Sequence, residues 1–517
     1  MSPACNSPVC QGSSDRCARR ICRALAVLAI VVRLAHASSA DDWPQFRGPN
    51  CTGLSTTTKS LPVEFSSAHN VRWSAPVGDG IGGAVIVGDR VFVSGMTAEQ
   101  TVSLFAFDVQ TGKKLWQRDW PTGPLPEVPQ TNSHASSTPA ADGEHVYFYF
   151  TSLGMIAVNA SSGADLWQRK LPVPFFVFKW GAGMSPVVYR EMVLFCQDDD
   201  LNPALYSFDR ATGELRWRDN RLDMAANYSH PVVNTVEGRD EIVVAGTGMV
   251  IGYDPQTGQR RWHAKSLLRN IKTTPVCSGG VIYISLQSSG IANQWLVAID
   301  QADTGNKDGK VDKAEIQAFV GNMAVPDAFV VRAFGRGDKN HDGFLEGSEL
   351  DAAFMHPDNF AGATFKSLGE AAADELILAV RGGGSGDVTS SHLLWKHSTK
   401  HTDHIVSPLV ADGRILLVKG GGIATVFDTQ TGNSLRGAKR LSNTSNYFAS
   451  PVCGDGKIYV AGENGVIVVL KNEPGYEELA ANDVGGSVVA TPAIGGDALF
   501  IRTRDKLLCI AQAPDAK

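Results

Sequence analysis

A string of the form Ala-x-Asp-x-x-Thr-Gly-x-x-x-Trp returns along this chain at a spacing of roughly 45 residues, a period that marks a propeller or another stacked array in a strand-rich sequence. It reads Ala106-Phe-Asp108-Val-Gln-Thr111-Gly112-Lys-Lys-Leu-Trp116 and then Ala157-Val-Asn159-Ala-Ser-Ser162-Gly163-Ala-Asp-Leu-Trp167. It recurs with Asp209, Thr212, Gly213 and Trp217, and again with Asp254, Thr257, Gly258 and Trp262. A weaker copy, Asp428-Thr-Gln-Thr431-Gly432, carries Arg436 where the others have Trp. Such a repeat constrains the fold tightly and the activity hardly at all, because one architecture hosts unrelated functions.

Each part of the string has a physical reason. The alternating apolar run before it, with Leu104 and Ala106 on one face, is a strand. Asp-x-x-Thr-Gly is a tight turn in which the Asp side chain bonds backbone two residues on and Gly supplies a positive φ. Trp lies on the returning strand and packs between neighbouring sheets, a large apolar area for one residue. A second marker precedes each hairpin: Thr138-Pro139, Ser185-Pro186, His230-Pro231, Thr274-Pro275, Ser407-Pro408, Ser450-Pro451 and Thr491-Pro492. Proline is tolerated at the first residue of a strand, where no ladder donor is required. Each unit is therefore four strands: a Pro-led A, then B, then a C–D hairpin ending in Trp.

These markers, with Gly80 to Val87 opening one more unit without the Pro, predict an all-β, eight-bladed propeller, with seven blades the alternative. The last unit, from Thr491 to Ile510, stops before any Trp strand, whereas Asn70-Val71-Arg72-Trp73 is a lone Trp strand near the other end. The strand near Trp73 is expected to complete the last blade, closing the ring and removing its edges.

The pattern resembles the pyrroloquinoline-quinone (PQQ)-type β-propeller repeat, shared by quinoprotein alcohol dehydrogenases and an outer-membrane-protein assembly lipoprotein. Two further strings are similar to a bacterial branch of that superfamily: Trp43-Pro44-Gln45-Phe46-Arg47-Gly48-Pro49-Asn50, and Gly384-Ser385-Gly386-Asp387-Val388-Thr389 ahead of Trp395. The resemblance covers 41–517 apart from one insertion. It implies the propeller, and it leaves open whether the chain binds a partner or oxidises a substrate.

The formal net charge of −6 is spread along the sequence, so no nucleic-acid footprint is expected. Arg16, Arg19, Arg20 and Arg23 precede an apolar run from Ala24 to Val32, and Ala37 or Ala40 ends a small-residue cleavage site. Residues 1–40 thus read as a secretory signal peptide and the mature chain as periplasmic or secreted. No Cys stands where a lipoprotein signal needs one, so no membrane anchor is expected. Beyond the leader, Cys51, Cys196, Cys277, Cys453 and Cys509 are scattered and read as small core residues, with one bridge left open.

Between Pro275 and Pro408 the repeat spacing widens by about two blades' worth of residues, and an EF-hand pair is expected over 288–374, between strands B and C of blade five. The stronger loop runs from Asp338 to Glu349. Asp338, Asn340 and Asp342 offer oxygens at positions one, three and five, Gly343 makes the bend, and Phe344 gives a carbonyl. Glu346 binds directly or through water, and Glu349 supplies the bidentate carboxylate, together the oxygen cage that Ca²⁺ requires. The weaker loop begins 34 residues earlier with Thr304 and continues through Asn306, Asp308, Lys310, Asp312 and Glu315. Its opening hydroxyl is a poorer ligand, so weaker binding or a shifted register is expected. Val311 and Leu345 are expected to pair the two loops.

The loops before each strand A offer His134, Trp180, Tyr228, Lys272, His401, His404 and Tyr447 as candidates around the channel mouth, a lining suited to an anionic or planar ligand. Two functions follow. The first is a calcium-binding propeller, a monomer, acting as a binding or scaffold module for a polypeptide or envelope polymer. The second is a PQQ-dependent oxidoreductase, against which stands the lack of the adjacent Cys pair that the resemblance implies for quinoprotein dehydrogenases. No catalytic residue is assigned.

Overall fold

Gly112, Gly163, Gly213, Gly258 and Gly432 each sit against the ring of the preceding blade's tryptophan, and this contact sets the packing of the whole molecule. A Cβ on Gly213 would come within 2.5 Å of the Trp167 ring, and one on Gly112 equally close to Trp73. The same glycines hold φ near +68°, so the turn and the close approach both exclude a side chain. Each Trp also donates its indole N–H across the blade boundary at 3.0 Å: Trp73 to Val109 O, Trp116 to Ala160 O, Trp167 to Arg210 O, Trp217 to Pro255 O and Trp395 to Thr429 O. The aspartate works as expected, with Asp108 Oδ1 accepting from Thr111 N at 2.8 Å and from Thr111 Oγ1 at 2.7 Å.

The computed structural model describes residues 42–176, 179–224, 227–246, 248–265, 272–285, 299–301, 303–320, 327–354, 375–398 and 405–512. The expected leader, His401 and His404 lie outside them. Eight sheets form the propeller, spanning 85–121, 140–169, 187–220, 232–265, 276–398, 409–440, 452–483 and 493–511. Each has four antiparallel strands from the channel outward, and the fourth sheet gains a short fifth strand, parallel, at its edge. The eighth is completed by Val71–Pro76, which pairs with Lys506–Ala511 and sets Trp73 opposite Cys509. Eight blades, not seven, is therefore the count.

Blade four departs from the rule, because the hairpin that follows it has no Thr-Gly turn. Trp262 instead donates to Glu241 Oε2 at 2.7 Å, and Gly386–Asp387 lies parallel to its strand, Trp262 opposite Gly386. The glycine-rich string of 384–389 thus supplies a short fifth strand at the outer edge of blade four.

The Ser/Thr-Pro markers carry a second role that sequence reasoning missed. Their hydroxyls accept backbone N–H groups from the preceding blade: Thr138 from Gly83, Ser185 from Thr138, Ser407 from Thr274, Ser450 from Ser407 and Thr491 from Ser450, at 2.9–3.2 Å. His230 stands where a hydroxyl would continue the series, and its Nδ1 lies 3.0 Å from Thr274 Oγ1.

The segment after Asp42 crosses the inner strands of the ring near their A–B turns. Trp43 bridges Ile86, Pro44 O accepts from Ala141 N, Gln45 Oε1 accepts from Val188 N, and the Asn50 amide brackets Val233. Arg47 reaches Pro408 O at 2.7 Å, and Gly53 O accepts from Cys453 N. One string of residues therefore ties blades one to four to blades six and seven across the channel.

Blade five has strand B at Val281–Ser285 and strand C at Glu375–Arg381, directly paired. Between them the described residues include the helices Lys313–Val320, Asp327–Gly337 and Ser348–Phe354. Ile299, Val311, Ile316, Ala333, Leu345, Leu350 and Ala353 form their own apolar core.

Candidate functional site

At the ends of the A strands the channel opens into a cavity of about 310 Å³. Its wall comes from the loops between blades and includes Asn132, Trp180, Tyr228, Lys272 and Phe448, while Phe46 and His230 lie deeper. Phe46 stacks on the imidazole of His230 with ring centres 4.4 Å apart. Because Phe46 belongs to the crossing segment, that segment enters the cavity lining.

Of the residues expected at the mouth, Trp180, Tyr228 and Lys272 are brought together. Lys272 Nζ lies 4.3 Å from the centre of the Trp180 ring, a cation–π contact. Tyr228 stacks on Phe176 at 5.1 Å. Tyr447 is not a mouth residue: it is 3% exposed, donates to Asn443 O at 2.9 Å and belongs to the core between blades six and seven. Its neighbour Phe448 takes the lining position. His134 is half-buried outside the cavity lining, and burial lowers its pKa.

Among the lining residues that the sequence did not point to, Phe46 and His230 stand out. The first lies far upstream of the blades it touches. The second read only as a variant of the Ser-Pro marker. His230 is 5% exposed, burial beside the Arg47 guanidinium pushes its pKa down to about 3, and its Nε2 has no hydrogen-bond partner. The neutral imidazole therefore presents an unpaired nitrogen among lining residues.

Above blade three, the two acidic loops face one another, with Val311 and Leu345 exchanging backbone hydrogen bonds at 3.0 and 2.9 Å. In the second loop Asp338 Oδ2 accepts from Gly343 N at 3.0 Å, Asp342 Oδ1 from Phe344 N at 2.9 Å, and Glu349 Oε1 from Lys339 N at 3.1 Å. Glu346 meets Lys310 Nζ at 3.3 Å, which places it on the rim of the pair. In the first loop the carboxylate at the bend does not come from the twelve-residue frame that starts at Thr304. Thr304 is exposed, and the carboxylate that receives the Gly309 N–H, at 3.2 Å, belongs to Asp300. Asp312 and Glu315 cap the following helix reciprocally, Asp312 N to Glu315 Oε2 at 3.0 Å and Glu315 N to Asp312 Oδ1 at 2.8 Å.

The inserted helices rest on loops that border the cavity. Arg332 donates to Leu201 O at 2.8 Å, Lys179 Nζ lies 5.5 Å from the Phe319 ring centre, and Phe175 joins the insert's apolar core. Asp199, its pKa raised by burial, holds this loop by accepting from Phe175 N at 3.0 Å.

Fold and site together define a closed eight-bladed propeller of PQQ-type repeats with a helical insertion beside its channel mouth. The family model described as outer membrane protein assembly factor BamB matches residues 55–175 and 177–336, more than half of the chain, and the chain belongs to that family. Outer membrane protein assembly factor BamB of Yersinia pestis is 28% identical over 252 residues, 44% of this chain and 58% of that protein. The chain thus spans less than two thirds of the curated relative it matches. The crystal structure of BamB from Moraxella catarrhalis shares the fold with a TM-score of 0.51 at 12% identity, covering 86% of this chain and 98% of the other. A quinohemoprotein alcohol dehydrogenase of Pseudomonas putida aligns with a TM-score of 0.46 at 11% identity, over 92% and 82%.

Proposed function

We propose that this chain is a calcium-binding propeller of the cell envelope that holds a polypeptide or envelope polymer at its channel mouth. The observation that carries the reading is the seat of the insert. Phe175 packs among the helices between the acidic loops while the adjoining Phe176 stacks on Tyr228 of the cavity wall. An ion that orders those loops would therefore fix the rim on which a partner sits. The arginine-rich, apolar leader of 1–40 supports export, and among the described residues no helix is long and apolar enough to cross a membrane. The kinship with outer membrane protein assembly factors favours a protein partner.

The oxidoreductase reading finds less support in the lining. PQQ carries three carboxylates, yet Lys272 is the one charged cation among the described lining residues. His230 is held neutral at ordinary pH, and the sequence has no adjacent Cys pair. The described residues do not fit that cofactor, and no step is routed through it.

A photo-crosslinking amino acid placed at Lys272 tests the proposal in an envelope extract of the source cell, with a second placed at Glu237 on an A–B turn. A defined product from position 272 that forms in millimolar Ca²⁺ and disappears with chelator is expected. Equal products from both positions, or no dependence on calcium, would refute it.

A further inference from the structure

Between Asn306 and Lys310 the first acidic loop repeats two bonds and the backbone turn of the second. Asn306 Oδ1 accepts from Asp308 N at 2.8 Å, as Asn340 Oδ1 accepts from Asp342 N at 3.0 Å. Asp308 Oδ1 accepts from Lys310 N at 2.9 Å, as Asp342 Oδ1 does from Phe344 N at 2.9 Å. Lys307 and His341 both take left-handed backbone, with φ of 64° and 62°, and Gly309 and Gly343 follow at 85° and 84°. The two loops therefore share the bend around their third and fifth positions, and they part at their first ligand.

Counting back from Glu315 puts Thr304 at the start of a twelve-residue loop. Thr304 is exposed, and Asp300 fills the place that Asp338 fills opposite, its Oδ2 bonded to the glycine N–H of the bend. Gly305 and Lys307 lie back against the loop's own start. Lys307 N donates to Asp300 O at 3.2 Å, and a Cβ on Gly305 would lie 1.9 Å from that same oxygen. Glycine at 305 is what lets the lengthened turn close without displacing Asp300.

Asp300 is 0% exposed, and its Oδ1 has no hydrogen-bond partner. A ligand oxygen from each of Asp300, Asp308 and Glu315 lies within 4.8 Å of the others. Burying a carboxylate oxygen with neither donor nor counter-charge is costly, and bringing three carboxylates together adds repulsion. A hard divalent cation relieves both. We infer that Asp300 is the first ligand of a lengthened, sixteen-residue calcium loop closed by Glu315, with Asp308, the Asn306 amide oxygen and the Lys310 carbonyl between them. Two ions are then bound per chain. The inference rests on the calcium reading above and adds the second site and its register.

Calcium bound to the purified chain, counted by equilibrium dialysis and by calorimetry, tests the assignment. Wild type is expected to bind two ions, Asp300→Asn to keep one and bind the other by roughly tenfold or more weakly, and Thr304→Val to keep both. The ion that Asp300→Asn retains should be the one lost in Glu349→Gln, which shows the paired loops still folded. Two ions at wild-type affinity in Asp300→Asn, or one lost in Thr304→Val, would overturn the assignment. A wild type that binds one ion, lost in Glu349→Gln, would end this inference while leaving the calcium reading standing. A wild type that binds none would end both.

Discussion

Phe175 and Phe176 are consecutive residues that belong to different cores, the first to the inserted helices and the second to the propeller between blades two and three. A two-residue peptide thus joins the acidic loops to the cavity wall at Tyr228. Adding Ca²⁺ should slow amide hydrogen exchange over 227–230 in wild type, and Phe175→Ala should remove that slowing while calcium still binds. Protection that persists in the mutant would show that the insert acts by another route.

The tryptophan wedges should dominate stability. Trp167→Ala empties a core position between blades and is expected to cost ~3–5 kcal/mol. Gly213→Ala forces a side chain into positive φ and against the same ring, and should also lower the melting midpoint clearly. Lys272→Ala, on the half-buried wall, should leave the melt nearly unchanged while weakening capture of a partner. Calorimetric scans of the three variants decide the matter, and a Lys272→Ala melt as depressed as that of Trp167→Ala would make the mouth a structural element.

Glu349→Gln removes one anionic oxygen from the second loop, whose Oε2 is buried without a hydrogen-bond partner. Calcium binding there should weaken by roughly tenfold or more, read at millimolar calcium because extracellular modules bind at ~10⁻⁴–10⁻³ M. An unchanged isotherm would rule the loop out as a calcium site.

Acid should weaken the channel lining through His230. Its folded pKa of about 3 lies below the ordinary histidine value, so at intermediate pH the unfolded chain takes up a proton that the folded chain refuses. The contribution to stability is complete above about pH 6.5 and is lost progressively as the pH falls towards the folded value. Replacing His230 with Gln should make the decline in denaturation free energy between pH 7 and 4 shallower, by up to ~1.4 kcal/mol per pH unit. Parallel declines in the two proteins would assign the acid sensitivity elsewhere.

Without Val71–Pro76 the strand Lys506–Ala511 becomes an open edge. Deletion of 42–76 should yield aggregation or a broad, non-cooperative melt. A truncated chain that melts like the intact one would mean that the ring tolerates a three-stranded blade.

Much of this architecture was legible because it is periodic. Gly213, Trp167 and Asp209 recur at a fixed offset, and each has one physical task that its residue type performs in every blade. The second acidic loop was legible because ligand types and spacing are fixed by the ion's chemistry. What escaped was aperiodic or distant. Asp300 lies outside the twelve-residue frame, and nothing local to Thr304 reveals that Gly305 comes back against the Asp300 carbonyl. Tyr447 and Phe448 are neighbours on a loop, where no alternation rule says which one faces inward. Phe46 reaches His230 from 184 positions away, a contact that no sequence window contains.

The closing strand also sets when the molecule can exist. Val71 pairs with Ile510, so the first-made strand of the ring waits for the last. The crossing segment waits as well, since Arg47 meets Pro408 and Gly53 meets Cys453. Individual blades form from local hairpins, but the ring cannot shut until nearly the whole polypeptide is available, and the long loop closures make that step slow. Until then the N-terminal stretch is a free strand beside an incomplete sheet, the state most exposed to pairing with the wrong chain.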